Sequence, residues 1–220
     1  ETIDSLAEMS KEYDIQPELK HNIRNYLEQS RVTMQTNFLQ EHIISRMSSM
    51  LAVSCVGSIH GEWMRKIWWM EPIIETPCIV ALTVAFDPML FCPQEVIRTG
   101  DKMFVVQRGL CLHGTKVCGR NEIWGTDLLL QQHHLRKNLT TVAISYLHTL
   151  KITRDDLYDS LEHFPEGKAV VRHAFVKLAV VRGVIYKANQ MKAQQKKLEA
   201  DAKAVGVDWK SAQEQRLRGQ

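Results

Sequence analysis

Residues 102–125 read KMFVVQRGLCLHGTKVCGRNEIWG, and how this stretch divides decides the fold. KMFVVQRG (102–109) predicts an apolar strand closed by a glycine turn. LCLHG, KVCG and EIWG are shorter strand pieces, each ending at a turn residue. Upstream, Val84 to Phe91 alternates loosely around Asp87-Pro88, and Pro93 and Gly100-Asp101 punctuate the stretch between it and Lys102. Downstream, TTVAISYLHTLKI (140–152) continues the same texture. Short strands between closely spaced turn residues predict an antiparallel β-sandwich or roll.

Helical periods flank this region on both sides. Ile3, Leu6, Met9 and Tyr13 recur at helical spacing, as do Leu19, Ile23, Tyr26 and Leu27 behind Pro17, which suits a first helical position. A third stretch carries Leu39, Ile43 and Met47. Polar breaks at Asp14-Ile15-Gln16 and from Ser30 to Thr36 predict a series of small helices, which need partners to bury their stripes. A neighbouring subunit is the expected partner. After the strands, Thr153 and Asp156 form a capping-box pattern ahead of Leu157 and Leu161. Phe164-Pro165-Glu166-Gly167 is read as the stop of that helix, and a longer helix then carries Val171, Phe175, Leu178 and Ile185. The expected division is 1–70 helical, 71–188 roll with terminal helices, and 189–220 a polar tail. From Lys187 onward the tail holds eight basic and four acidic residues. The spacing of Met191, Leu198 and Val205 by seven is a weak heptad signal, so a solvated helix is the expectation there.

Composition narrows the class. With 45% hydrophobic and 24% charged residues the chain of 220 residues reads as globular, and a net charge of +3 gives no reason to expect a nucleic-acid partner. Five cysteines without CxxC spacing argue against a complete disulfide framework and for a reducing compartment. The longest apolar run, CIVALTVAF (78–86), falls far short of the roughly 20 residues that span a bilayer, and no signal-peptide pattern opens the stretch.

The order of these pieces resembles the C-linker and cyclic-nucleotide-binding homology domain of tetrameric voltage-gated-like cation channels. Ile15-Gln16-Pro17-Glu18-Leu19 with Ile23 and Tyr26 is similar to the second C-linker helix, FLQEHIISRM (38–47) to the third, and EWMRKIWWM (62–70) to the lead into the roll. Residues 102–109 resemble the third strand, and Gly119 to Gly125 the approach to the ligand cassette. LKITRDDL (150–157), ending in Phe164-Pro165-Glu166, is especially similar to the ether-à-go-go potassium channels, and Arg172-His173-Ala174-Phe175 resembles the last helix of the hyperpolarisation-activated channels. The resemblance covers about residues 1–190. It implies an α+β fold: a short-helix C-linker, then a jelly-roll-like antiparallel β-roll, then flanking helices.

Nucleotide-responsive members of this superfamily carry Phe-Gly-Glu, a short loop, and Arg-Thr-Ala or a close variant. Backbone N–H groups and the Arg meet the cyclic phosphate, and the Glu accepts from the ribose. Here the corresponding residues are Trp124, Gly125 and Thr126. Asp127 follows directly, but successive residues of a strand or tight turn point apart, so it is not expected to replace the Glu. The Arg-Thr-Ala place falls near Arg136, Lys137, Asn138 and Leu139, after a loop longer than the family pattern. Lys137 in the Arg place offers a point charge where a planar fork is wanted, and Arg136 compensates only by a register shift. Losing two charged contacts of about 1.5–3 kcal/mol each weakens binding by about two to four orders of magnitude.

No catalytic constellation is apparent, so an enzyme is not expected. His113, His133, His134 and His148 lack metal-ligand spacing and read as surface loop histidines. Cys118 reads as a packed thiol. Trp63, Trp68 and Trp69 with Met64 and Met70 are either a partner surface or the hinge between helices and roll. The expected function is the cytoplasmic gating region of a tetrameric, potassium-type cation channel. Its expected partners are three further copies through the C-linker, the membrane pore domain of the same full-length chain, and an intrinsic segment filling the pocket, with the last helix, at Phe175 and Leu178, as lid. No cofactor is required by this reading. The alternative is a cAMP- or cGMP-binding receptor or regulator subunit with an altered cassette and weak affinity.

Overall fold

In the computed structural model, which describes residues 13, 15–38, 42–73, 76–137 and 139–205, eight short strands form two antiparallel sheets. They are β1 (Asp87–Phe91), β2 (Val96–Ile97), β3 (Lys102–Arg108), β4 (Cys111–His113), β5 (Lys116–Cys118), β6 (Ile123–Trp124), β7 (Thr141–Ala143) and β8 (Leu147–Thr153). The first sheet has the order β1-β8-β3-β6 and the second β2-β7-β4-β5. The stretch 140–152 therefore divides, its first half joining the second sheet and its second half the first.

The central strand β3 is nearly all apolar because both its faces are covered. Phe104 and Val106 enter a core between the sheets with Phe91, Ile97, Trp124 and Leu147. Met103 and Val105 face the other way, into a larger core shared with Leu150 and Ile152 and with the helices. Those helices are α1 (Pro17–Phe38), α2 (Ser49–Met64), α3 (Cys78–Val84), α4 (Arg154–Ser160) and α5 (Pro165–Val205). Val56, Trp63, Met64, Ile67, Trp69 and Met70 are buried in the larger core. Trp63 meets Phe86 edge-on at 5.2 Å. Two of the three tryptophans are thus core residues and no free surface, while Trp68 lies outside with the Lys177 ammonium 5.3 Å from its ring centre.

The capping box forms as the sequence predicts: Thr153 Oγ1 accepts from the Asp156 N–H at 3.2 Å, and the Asp156 carboxylate accepts from the Thr153 N–H at 3.2 Å. Several expectations are corrected. The polar stretch from Ser30 to Thr36 does not break a helix; it belongs to the 22-residue α1. This helix packs along β1, and Gln29 Oε1 lies 3.2 Å from His148 Nε2, so part of its partner surface is the chain's own sheet. The apolar run at 78–84 is helical. Phe164 to Gly167 does not only stop a helix. Pro165 opens α5, and Gly167 lies in its first turn, where a Cβ would stand 2.7 Å from Cys78 Sγ. The stripe Ile3, Leu6 and Met9 and residue Leu39 fall outside the described residues.

Among the described residues no helix is long and apolar enough to cross a membrane.

Candidate functional site

A cavity of about 430 Å³ opens beside β6, between the second sheet and α5. Trp124, Gly125, Thr126, Asp127, Arg136 and Lys137 all line it, so the cassette residues singled out in the sequence share one space. Asn138 falls outside the described residues, and Leu139 lines the wall. Ligand pockets commonly enclose about 300–1,000 Å³, so the space suits a small molecule.

The chain enters the pocket through Gly125, whose φ of +82° is left-handed. A side chain there would run into the Lys102 carbonyl oxygen, so only glycine fits. The turn throws residues 126–129 into a 3-10 helix. That helix overturns one expectation. Asp127, read as pointing away, is turned inward and buried, because successive residues of a 3-10 turn are rotated by about a third of a turn rather than alternating as in a strand. Both its carboxylate oxygens are engaged. Oδ2 accepts from the Lys137 backbone N–H at 2.9 Å, and Oδ1 from Arg182 Nη2 at 2.7 Å. Arg182 comes from α5, and the side chains of the pair are only 17% and 12% exposed. A charge-assisted contact so shielded contributes about 1.5–3 kcal/mol.

Arg136 is also engaged, and not toward a ligand. Its guanidinium donates twice to the Leu130 carbonyl and once, at 3.0 Å, to Gly100 O. Arg154 adds donations to Leu128 O at 3.1 Å and Leu130 O at 3.3 Å. Two guanidinium groups therefore tie down the carbonyl end of the 3-10 turn. Burial first, and then the neighbouring Arg154 charge, draw the Arg136 pKa below its usual value. Lys137, the residue expected in the phosphate-binding Arg place, has an exposed side chain at the pocket wall.

Trp124 does not stand free as a stacking wall. Its ring is packed between Phe104, at 5.3 Å and nearly parallel, and His113, at 6.0 Å. The indole Nε1 and Thr99 Oγ1, on residues lining the cavity, are buried without a hydrogen-bond partner among the described residues.

His133 and His134 are exposed, as the surface reading has it, but the other two histidines depart from it. His148 is buried on β8 and His113 is half-buried on β4, bonded at 2.8 Å to Thr141 Oγ1. Burial, before the charges of Lys116 and Lys137, lowers the His113 pKa. His134 packs its ring 4.8 Å from Tyr186 of α5. Among the described residues no group of three or more His, Cys, Asp or Glu could hold a metal ion. Cys118 is buried opposite Cys111 across β4 and β5, and burial raises its pKa, as suits a packed thiol.

Phe175 and Leu178, expected on the lid, pack against the larger core instead; the residue that α5 brings to the pocket is Arg182. A signal for it was present. Val171, Leu178 and Arg182 lie on one face of the helix, so a charged residue continues the apolar stripe. Compared with known proteins, the chain matches no family model, and no curated protein matches it.

Proposed function

We propose that the chain is the cytoplasmic gating region of a tetrameric cation channel, potassium-selective by its resemblance to the ether-à-go-go group. Its two sheets act as a cyclic-nucleotide-type β-roll, and the helices ahead of them form a C-linker that meets three further copies and the membrane pore domain. The order of elements supports this: helices, two four-stranded sheets with a 3-10 turn at the pocket, a capped short helix and a long last helix. The observation that carries the mechanism is the Asp127–Arg182 pair. The Asp127 carboxylate takes the backbone N–H and the guanidinium that an anionic ligand would seek, and it does so from within the cassette. The intrinsic ligand is then this side chain, and α5 is held over the pocket without nucleotide. Such a module shifts the pore only as far as its contacts differ between open and closed arrangements.

One observation favours the alternative, a cAMP or cGMP receptor. The cavity remains about 430 Å³ with its Asp127 paired, and the Lys137 side chain stands exposed at its wall. Calorimetric titration of the 220-residue chain with cAMP and with cGMP separates the readings, with Lys137→Glu as control. The gating reading predicts affinity weaker than about 1 mM for both nucleotides. Micromolar binding that is lost in Lys137→Glu would establish the receptor reading instead.

A further inference from the structure

The last part of α5 leaves the body of the protein. The helix runs 41 residues, about 60 Å, and from Lys187 to Asp201 every residue but Glu199 is exposed. These turns extend a helix already packed on the body, but they bury nothing in return, so their order rests on helix propensity alone. A mostly apolar seam runs along the helix. Val181, Val184, Ala188, Met191, Gln195 and Leu198 alternate in steps of three and four, and the sequence continues that spacing to Ala202 and Val205. Val184, Met191 and Leu198 are 65%, 55% and 49% exposed.

We propose that this seam pairs with the same segment of a second copy of the chain as an antiparallel two-stranded coiled coil. The choice of occupant rests on self-complementarity. With the twofold axis near Ala193, Ala188 of one copy faces Leu198 of the other, and Met191 faces Gln195, so a small or polar residue meets a large one in each layer. Flanking positions of the same letter face each other in an antiparallel pair, which sets Lys187 against Asp201 of the second copy, twice by symmetry. The one opposed contact is Lys192 with itself. A parallel pair does worse: it stacks Ala188 on Ala188, leaving a void, and brings Lys187 beside Lys192 of the second copy. The helices of one fourfold ring run parallel, so antiparallel pairing joins chains of separate rings; the inference does not depend on the channel reading.

Sedimentation equilibrium of the whole chain tests it, with Leu198→Asp, Lys187→Asp, Asp201→Lys and the double reversal. Leu198 lies outside the body core, so an unchanged thermal midpoint of the variant at high dilution will show that the body stays folded. Wild type should show twice the mass of Leu198→Asp, whose self-affinity falls more than about a hundredfold for a charge placed in the seam. Each single reversal should weaken pairing about tenfold and the double reversal restore it to within about threefold. Equal masses for wild type and Leu198→Asp would overturn the proposal, and a double reversal weaker than either single one would overturn the antiparallel register.

Discussion

The helix-covered face of the first sheet and the pocket beside β6 are held by different forces. On the helix side, Met103, Val105, Leu150 and Ile152 pack against Trp69, Met70 and Leu157, and the contribution comes from apolar area removed from water. At the pocket, the elements are joined by charges: Asp127 to Arg182, and Arg136 and Arg154 to carbonyl oxygens of the 3-10 turn. Apolar packing is insensitive to which ligand is present. Charged contacts are not, because an anion competes for the same donors. The fold can therefore survive changes at the pocket, while the position of α5 there depends on a few polar atoms.

Changes on the two sides should separate accordingly. The largest effect is expected from Leu150→Ala, which leaves a cavity in the core and should cost about 2–5 kcal/mol in urea unfolding without altering pocket chemistry. Next is a pH effect on the helix side. Burial lowers the His60 pKa from 6.5 to about 4, so the unfolded chain binds the proton more readily. His60 therefore contributes stability that is complete above about pH 6.5 and is lost as pH falls toward 4, up to about 3 kcal/mol. Unfolding free energies of wild type and His60→Gln between pH 7 and 4 should converge as acid is added; parallel curves would assign the acid sensitivity to another group.

A double-mutant cycle on Asp127→Asn and Arg182→Ala addresses the pocket side. Each single change should cost about 1.5–3 kcal/mol, and the double change little more than one of them. Additive losses would mean that the two residues act apart. The smallest effect is expected from Lys177→Ala, where the contact with the half-exposed Trp68 ring contributes about 0.5–1 kcal/mol.

The same contrast explains what could be read from the sequence. The strand at 102–108 and the capping box at Thr153 and Asp156 are local: hydrophobic runs, turn residues and a spacing of three suffice to identify them. The residues lining the pocket were legible as a group, but two of their roles were not. Asp127 faces inward because the left-handed Gly125 starts a 3-10 turn, a choice of turn that its neighbours in sequence leave open. Arg182 lies 55 residues from Asp127, so its place on the α5 face shows in the sequence but its partner does not. The continuity of α1 through Ser30 to Thr36 was missed because polarity was taken for a break, whereas Arg, Met and Gln are good helix formers and an exposed helix face is polar.

If the chain's own Asp127–Arg182 pair holds α5 at the pocket, amide hydrogen exchange will show it without nucleotide. Peptides covering 126–137 and 178–186 should exchange at the same rate with and without saturating cAMP in the wild type, and faster in Arg182→Ala. Slower exchange of the wild type with nucleotide, together with no change in Arg182→Ala, would mean that nucleotide and not the Asp127–Arg182 pair holds α5 at the pocket.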